Sequence, residues 1–258
     1  MSIHRGIFNT RDRNEHARKR KIISHIFSQK NVIEFEPHIR LYVGMFIKQW
    51  DRLYDMAVKG MSGTEGEGWK GKDGRLWLDC LPCTFSFPKH SEINLIQSLS
   101  FRFTGANYLA FDIVGDLAFG APFGMIEAAR DLAVVPKNQE SAMKNYGNLD
   151  KVEVREIPAV QILNGRGEYS MSVGVLPPWW RPIVSYHPWY SKGFKDVQSL
   201  AGIAIMAVAK RLATPTDKVD LLSKLQQGRD TDGKLLTKEE LTAEALTLLI
   251  AGSDTMSK

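Results

Sequence analysis

Along most of this chain the apolar residues recur at three- and four-residue intervals, the repeat of an amphipathic helix rather than of a strand. Ile22, Ile23, Ile26 and Phe27 form an apolar sector behind a charged start. Asp12 and Glu15 have the spacing of a capping box, so residues 12 to 28 are expected to be helical. Further helices are expected from about Glu36 to Val58, over NYLAFDIVGDLAF at 107 to 119, and over 194 to 213 and 217 to 227. A last helix is expected from Thr237, where Glu240 completes another capping box, and it meets no C-cap glycine or proline before Lys258. Between these segments, KGMSGTEGEGWKGKDGR at 59 to 75 reads as an exposed loop, and PPWWRP with YHPWY at 177 to 190 as a Pro-rich aromatic connection. The expected fold class is mainly α, in one domain without repeats.

Composition narrows the function classes. The 258 residues are 43% hydrophobic and 24% charged, which suits a globular chain with a substantial core. The net charge of +5 is concentrated in RDRNEHARKRK at 11 to 21, a local feature that makes nucleic acid an unlikely class of partner; binding with a steep salt dependence would be its signature. Cys80 and Cys83 in CLPC lack the second pair that a structural zinc site needs, and the six histidines form no metal-binding pair, so no metal ligand is assigned. GRGEYS lacks the order of a nucleophile elbow. The most apolar run, LAGIAIMAVA at 200 to 209, is about half the roughly 20 residues that span a bilayer and suits a buried helix. MSIHRGIFNT has no signal-type apolar core.

The stretch LLIAGSDTM at 248 to 256 is where the last helix carries unexpected residues. A glycine inside a helix costs about 1 kcal/mol relative to alanine, and Asp and Thr compete for backbone hydrogen bonds. Ala251 and Gly252 would let a flat ligand lie close to the helix, with the carboxylate of Asp254 and the hydroxyl of Thr255 beside it. AGSDT resembles the oxygen-binding helix motif, Ala/Gly-Gly-x-Asp/Glu-Thr, of the cytochrome P-450 family of haem-thiolate monooxygenases. EHARKRKIISHIFS at 15 to 28 resembles that family's early haem-facing helix, and FDIVGDLAFG at 111 to 120 a core helix with its Phe-Gly end. GIFNTRDRNEHARKRKIISHIFS, NYLAFDIVGDLAFGAPFGM and LNGRGEYS at 163 to 170 are similar to the fungal benzoate para-hydroxylases.

The resemblance implies haem as cofactor, with His16 and Arg20 bonding its propionates and Ala251 and Gly252 flanking the oxygen-binding groove. Thr255 would steer protons and Asp254 would feed that relay. It also implies O2, a small aromatic acid, an NADPH-dependent flavoprotein reductase and the cytosolic face of the endoplasmic reticulum membrane. Trp179, Trp180, Trp189 and Tyr190 would suit either membrane contact or ordinary packing. A four-residue step puts His16 and Arg20 on one side of a helix; Ile23 and Phe27 follow along it, so that side is expected to meet the interior. Arg13, Arg18 and Lys21 are expected to be solvated.

Two departures qualify the resemblance. The family's Phe-x-x-Gly-x-x-x-Cys-x-Gly loop and the Glu-x-x-Arg pair ahead of it are not found, and neither Cys80 nor Cys83 has the context of the iron thiolate. CTFSFPKHSEINLIQSLSFRFTGA at 83 to 106 separates flanks that the subfamily holds nearly adjacent, and is expected to be an insertion or a retained intron. The expectation is an incomplete domain that misfolds without its remainder; the competing class is a non-catalytic helical binding or regulatory protein, or a pseudogene product, of the same fold.

Overall fold

The computed structural model describes residues 5–59, 69–72, 75–78, 104–145, 152–177, 179–184, 186–214, 220–229 and 233–256, and the architecture is mainly α. The charged N-terminal region forms α1 (Arg13–Ile26), α2 (Gln29–Ile33) and α3 (Glu36–Val58). Asp12 caps α1 by accepting from Glu15 N at 2.8 Å; Glu15 turns its own side chain to Arg18, so only half of the expected capping box closes.

The core is built on α4 (Thr104–Phe119), whose apolar residues lie on all sides, the mark of a helix buried all round. Phe111, Ile113, Val114, Ala118 and Phe119 are buried in it. Two acids on α4 are buried as well, and both have partners. Asp112 accepts from the backbone N–H groups of Gly124, Met125 and Ile126, capping the short α5 (Met125–Ala128) from outside it. Asp116 meets His38 Nδ1 of α3 at 2.8 Å. The chain leaves α4 through Gly120, whose φ of +72° and approach to Asp220 Oδ2, 2.8 Å from where a Cβ would stand, both require glycine.

Next come β3 (Ala133–Pro136) and β4 (Val154–Ile157), an antiparallel pair pairing Ala133 with Ile157, with α6 (Gln139–Lys144) between them. Helix α7 (Ala159–Gly174) packs on α9 (Pro188–Ala213), and the short α8 (Arg181–Val184) lies between. Then α10 (Leu221–Gln227) leads to α11 (Lys238–Met256), which packs along α4 and α9. The Thr237–Glu240 box closes in both directions, at 3.2 and 3.0 Å.

Two expectations change, and a third falls mostly outside the described residues. The 59 to 75 segment is not all loop, because β1 (Trp69–Lys72) pairs antiparallel with β2 (Arg75–Leu78). The aromatic connection is partly helical: His187 caps α9, and Pro188 occupies its first turn, where a missing N–H costs nothing. Of the 83 to 106 segment, residues 83–103 lie outside the described residues, and 104–106 open α4.

Candidate functional site

The start of α11 and the basic helix α1 are tied by charge. Glu240 receives Arg18 Nη2 at 2.5 Å and stands 3.5 Å from Lys19 Nζ, which also donates to the carbonyl of Arg5. Lys19 is only 3% exposed, so these partners replace the water it has lost. One turn further, buried Glu244 accepts from Ile7 N at 2.7 Å and holds residues 6–9 against α11. Burial pushes the Glu244 carboxyl above its ordinary value, against the pull of the Ile7 N–H and Lys19. At Gly6 an added Cβ would stand 3.1 Å from Thr247 Oγ1 and 3.2 Å from the Ala243 carbonyl, which shows how closely the segment lies on the helix.

This geometry corrects the expected orientation of α1. Lys19, Ile22 and Ile26 form its buried line, with Ile22 against the end of α10 at Gly228. His16 is half-buried, Arg20 is exposed, and Phe27 is 47% exposed, so the line through them borders the interior instead of entering it. Ile22 and Ile26 form a turn-to-turn pair that packs as well as Ile23 and Phe27, and the anchoring of Lys19 selects between them. Arg18 is not solvated as expected, since it lies between Glu15 and Glu240. The side chains of His16 and Arg20, by contrast, have no hydrogen-bond or ion-pair partner among the described residues. Two neighbouring donors with no anion partner among the described residues fit the negatively charged edge of a cofactor such as haem.

A groove of about 330 Å³ runs along α11, between it, residues 6–9, and the facing sides of α7 and α9. Its wall on α11 is the stripe Ala243, Leu246, Thr247, Ile250 and Ala251, one helical face by the three- and four-residue spacing. Ala251 is exposed into it, as a residue beside a ligand must be. Gly252 faces elsewhere: its Cβ would stand 2.4 Å from Val114 Cγ2, so its smallness serves the approach of α11 to α4. The approach to Val114 is thus a structural reason for a small residue at 252. Ser253 Oγ is fully buried with no hydrogen-bond partner among the described residues, a polar atom the core leaves unsatisfied. Asp254 and Thr255 occupy the last turn of α11, and their side chains lie outside the described residues.

Glu240 to Ala251 spans about 16 Å by the helix rise, so α1 docks near one end of α11 while the AGSDT stretch lies at the other. Sequence reading missed Glu244 and Lys19, which set this arrangement. The available signal was a lone acid in the apolar run LTAEALTLL, four residues after Glu240, facing a helix with surplus positive charge. No cluster of His, Cys, Asp or Glu suited to a metal occurs among the described residues. Cys80 and Cys83 lie outside them.

Comparison with known proteins supplies the family. The family model described as Cytochrome P450 matches residues 102–258. The whole chain is 40% identical to benzoate 4-monooxygenase of Aspergillus niger and covers 42% of that protein. It is 25% identical to trichothecene C-15 hydroxylase of Fusarium sporotrichioides over 95% of the chain and 37% of the relative. A cytochrome P450 monooxygenase of Penicillium crustosum is 24% identical over 93% of the chain and 35% of its own length. The chain thus spans about two fifths of the curated relatives it matches. Its helical architecture, the AGSDT position on α11 and the match over 102–258 agree, and the chain belongs to the cytochrome P450 family.

Proposed function

We propose that this chain is part of a haem monooxygenase that inserts one oxygen atom from O2 into an aromatic acid, with benzoate hydroxylated at the para position. The observation that carries this reading is the groove along α11, apolar on most of its wall, bordered by Ala251 and followed one turn later by Asp254 and Thr255. Its size and lining suit a small aromatic molecule. The name of the 40% identical relative supports benzoate as that molecule.

Bound haem would supply the iron at which dioxygen is activated. His16 and Arg20 would hold its propionates through charge-assisted hydrogen bonds, a role supported by their having no side-chain partner among the described residues. Ala251 would leave room for the reacting oxygen at the groove wall. Gly252 would flank the oxygen-binding groove beside Ala251, and its smallness also brings α11 against Val114. Thr255 would hold a proton at its hydroxyl and Asp254 would replenish it, because oxygen reduction consumes protons. No residue of this chain is assigned as the iron ligand.

Electrons would come from an NADPH-dependent flavoprotein reductase. No helix among the described residues is long and apolar enough to cross a membrane. Exposed Trp179, Trp180, Ile183, Tyr186 and Trp189 support a site of action at the cytosolic surface of the endoplasmic reticulum membrane, because amphipathic aromatics favour such an interface.

The test is to assay the full-length protein with haem, NADPH and reductase for conversion of benzoate. The reading predicts O2-dependent 4-hydroxybenzoate, and in Thr255→Ala less product with more peroxide per NADPH consumed. A haem-loaded protein that neither binds nor oxidises benzoate would refute it.

A further inference from the structure

The run LNGRGEYS resembles the benzoate-hydroxylating relatives but has no role in the reading so far. It lies on α7, and Arg166 is the one charged residue among the described residues that line the α11 groove. The glycines on either side of it carry a helix penalty of about 1 kcal/mol each. Gly165 has a packing reason: its Cβ would stand 2.8 Å from Asp196 Oδ2, so the glycine lets α7 approach α9. Gly167 has none, since nothing lies within 4 Å of where its Cβ would be.

The geometry points to Arg166 as the group that receives the carboxylate of an aromatic acid in this groove, an inference that rests on the aromatic-acid reading above. The other polar groups on the wall are poor alternatives. Thr247 donates its hydroxyl proton to the Ala243 carbonyl at 3.0 Å and carries no charge. Asn9, on the opposite wall, is exposed and supplies amide donors but no charge. An arginine provides both charge and a planar pair of N–H groups that match a carboxylate. The ring would then lie against Ala243, Leu246, Ile250 and Ala251, which carry no polar side-chain atoms.

This placement also accounts for position. The para carbon is the ring atom farthest from the carboxylate. Holding the carboxylate at Arg166 therefore directs the para carbon away from α7, and Arg166 determines regioselectivity as well as affinity.

The experiment measures binding of benzoate and of benzamide, its uncharged analogue, to the full-length haem-loaded protein and to Arg166→Gln and Arg166→Lys, with the ratio of hydroxylated isomers as a second readout. The wild-type protein should prefer benzoate. Arg166→Gln should weaken benzoate on the order of 30-fold, leave benzamide within about threefold, and yield mixed isomers. Arg166→Lys should recover part of the preference, since it retains the charge without the planar fork. If the wild-type protein shows no preference for benzoate, the aromatic-acid reading fails and the anchor fails with it. If the wild type prefers benzoate and Arg166→Gln keeps that preference, or if both ligands weaken equally, the anchor alone is overturned.

Discussion

Helix α1 presents its positive charge in two ways. Arg18 and Lys19 turn toward Glu15, Glu240 and the Arg5 carbonyl, whereas His16 and Arg20, a few residues away, have no partner among the described residues. The same division runs along α11. Glu240 and Glu244 near its start bind Arg18, Lys19 and the Ile7 N–H; near its end Ala251 opens to a groove and Ser253 Oγ is buried unsatisfied. Polar groups that hold the fold have protein partners, because leaving them unpaired in the core is costly. Groups left without one are the places to look for a ligand.

The partnered side breaks hardest. Glu240→Ala removes the acid facing Lys19 and Arg18 and one half of the Thr237 box, and should cost about 3 kcal/mol in denaturant unfolding of the full-length protein. Gly252→Ala should cost about 2 kcal/mol through overpacking against Val114, and adding Val114→Ala should restore much of it. If the added substitution restores nothing, the glycine has another reason. Ser253→Ala should move the other way, gaining about 1 kcal/mol by removing an unsatisfied buried hydroxyl; a loss would show that Ser253 has a partner in the working protein.

The smallest effect is a pH slope. Because burial raises the Glu244 pKa above 4.5, the folded chain holds this proton to higher pH than the unfolded chain does. Its stabilising contribution is complete below pH 4.5 and is lost as pH rises through the raised value. Glu15 opposes it, because its hydrogen bond from Arg18 lowers its pKa, so its contribution is present above pH 4.5 and lost as pH falls. Glu244→Gln keeps an acceptor for Ile7 N and should remove only the first component, seen as a flatter decline of unfolding midpoint above pH 4.5.

Local signals were legible in the sequence where they acted alone. The bounds of α3 matched the apolar spacing, and the Thr237–Glu240 box marked the start of α11. Helix α7 was not foreseen, because Gly165 and Gly167 weaken its local preference and packing on α9 overrides them. Nor were β3 and β4, four residues each, too short for alternation to stand out. On α1 the four apolar residues allow two buried lines a residue apart, and only the tertiary anchoring of Lys19 selects one. The packing of Gly252 on Val114 was not legible for a similar reason: a small residue marks a close approach without saying which neighbour makes it.

On α1, Arg18 and Lys19 hold the fold, and His16 and Arg20 are the residues proposed to hold the cofactor. The most direct test compares Arg20→Ala with Arg18→Ala in the full-length protein, measuring bound haem per chain and the unfolding midpoint of the haem-free protein. The account predicts that Arg20→Ala loses haem and leaves the haem-free midpoint unchanged, whereas Arg18→Ala lowers that midpoint. Equal haem retention in both, or a haem-free midpoint that falls with Arg20→Ala, would contradict it.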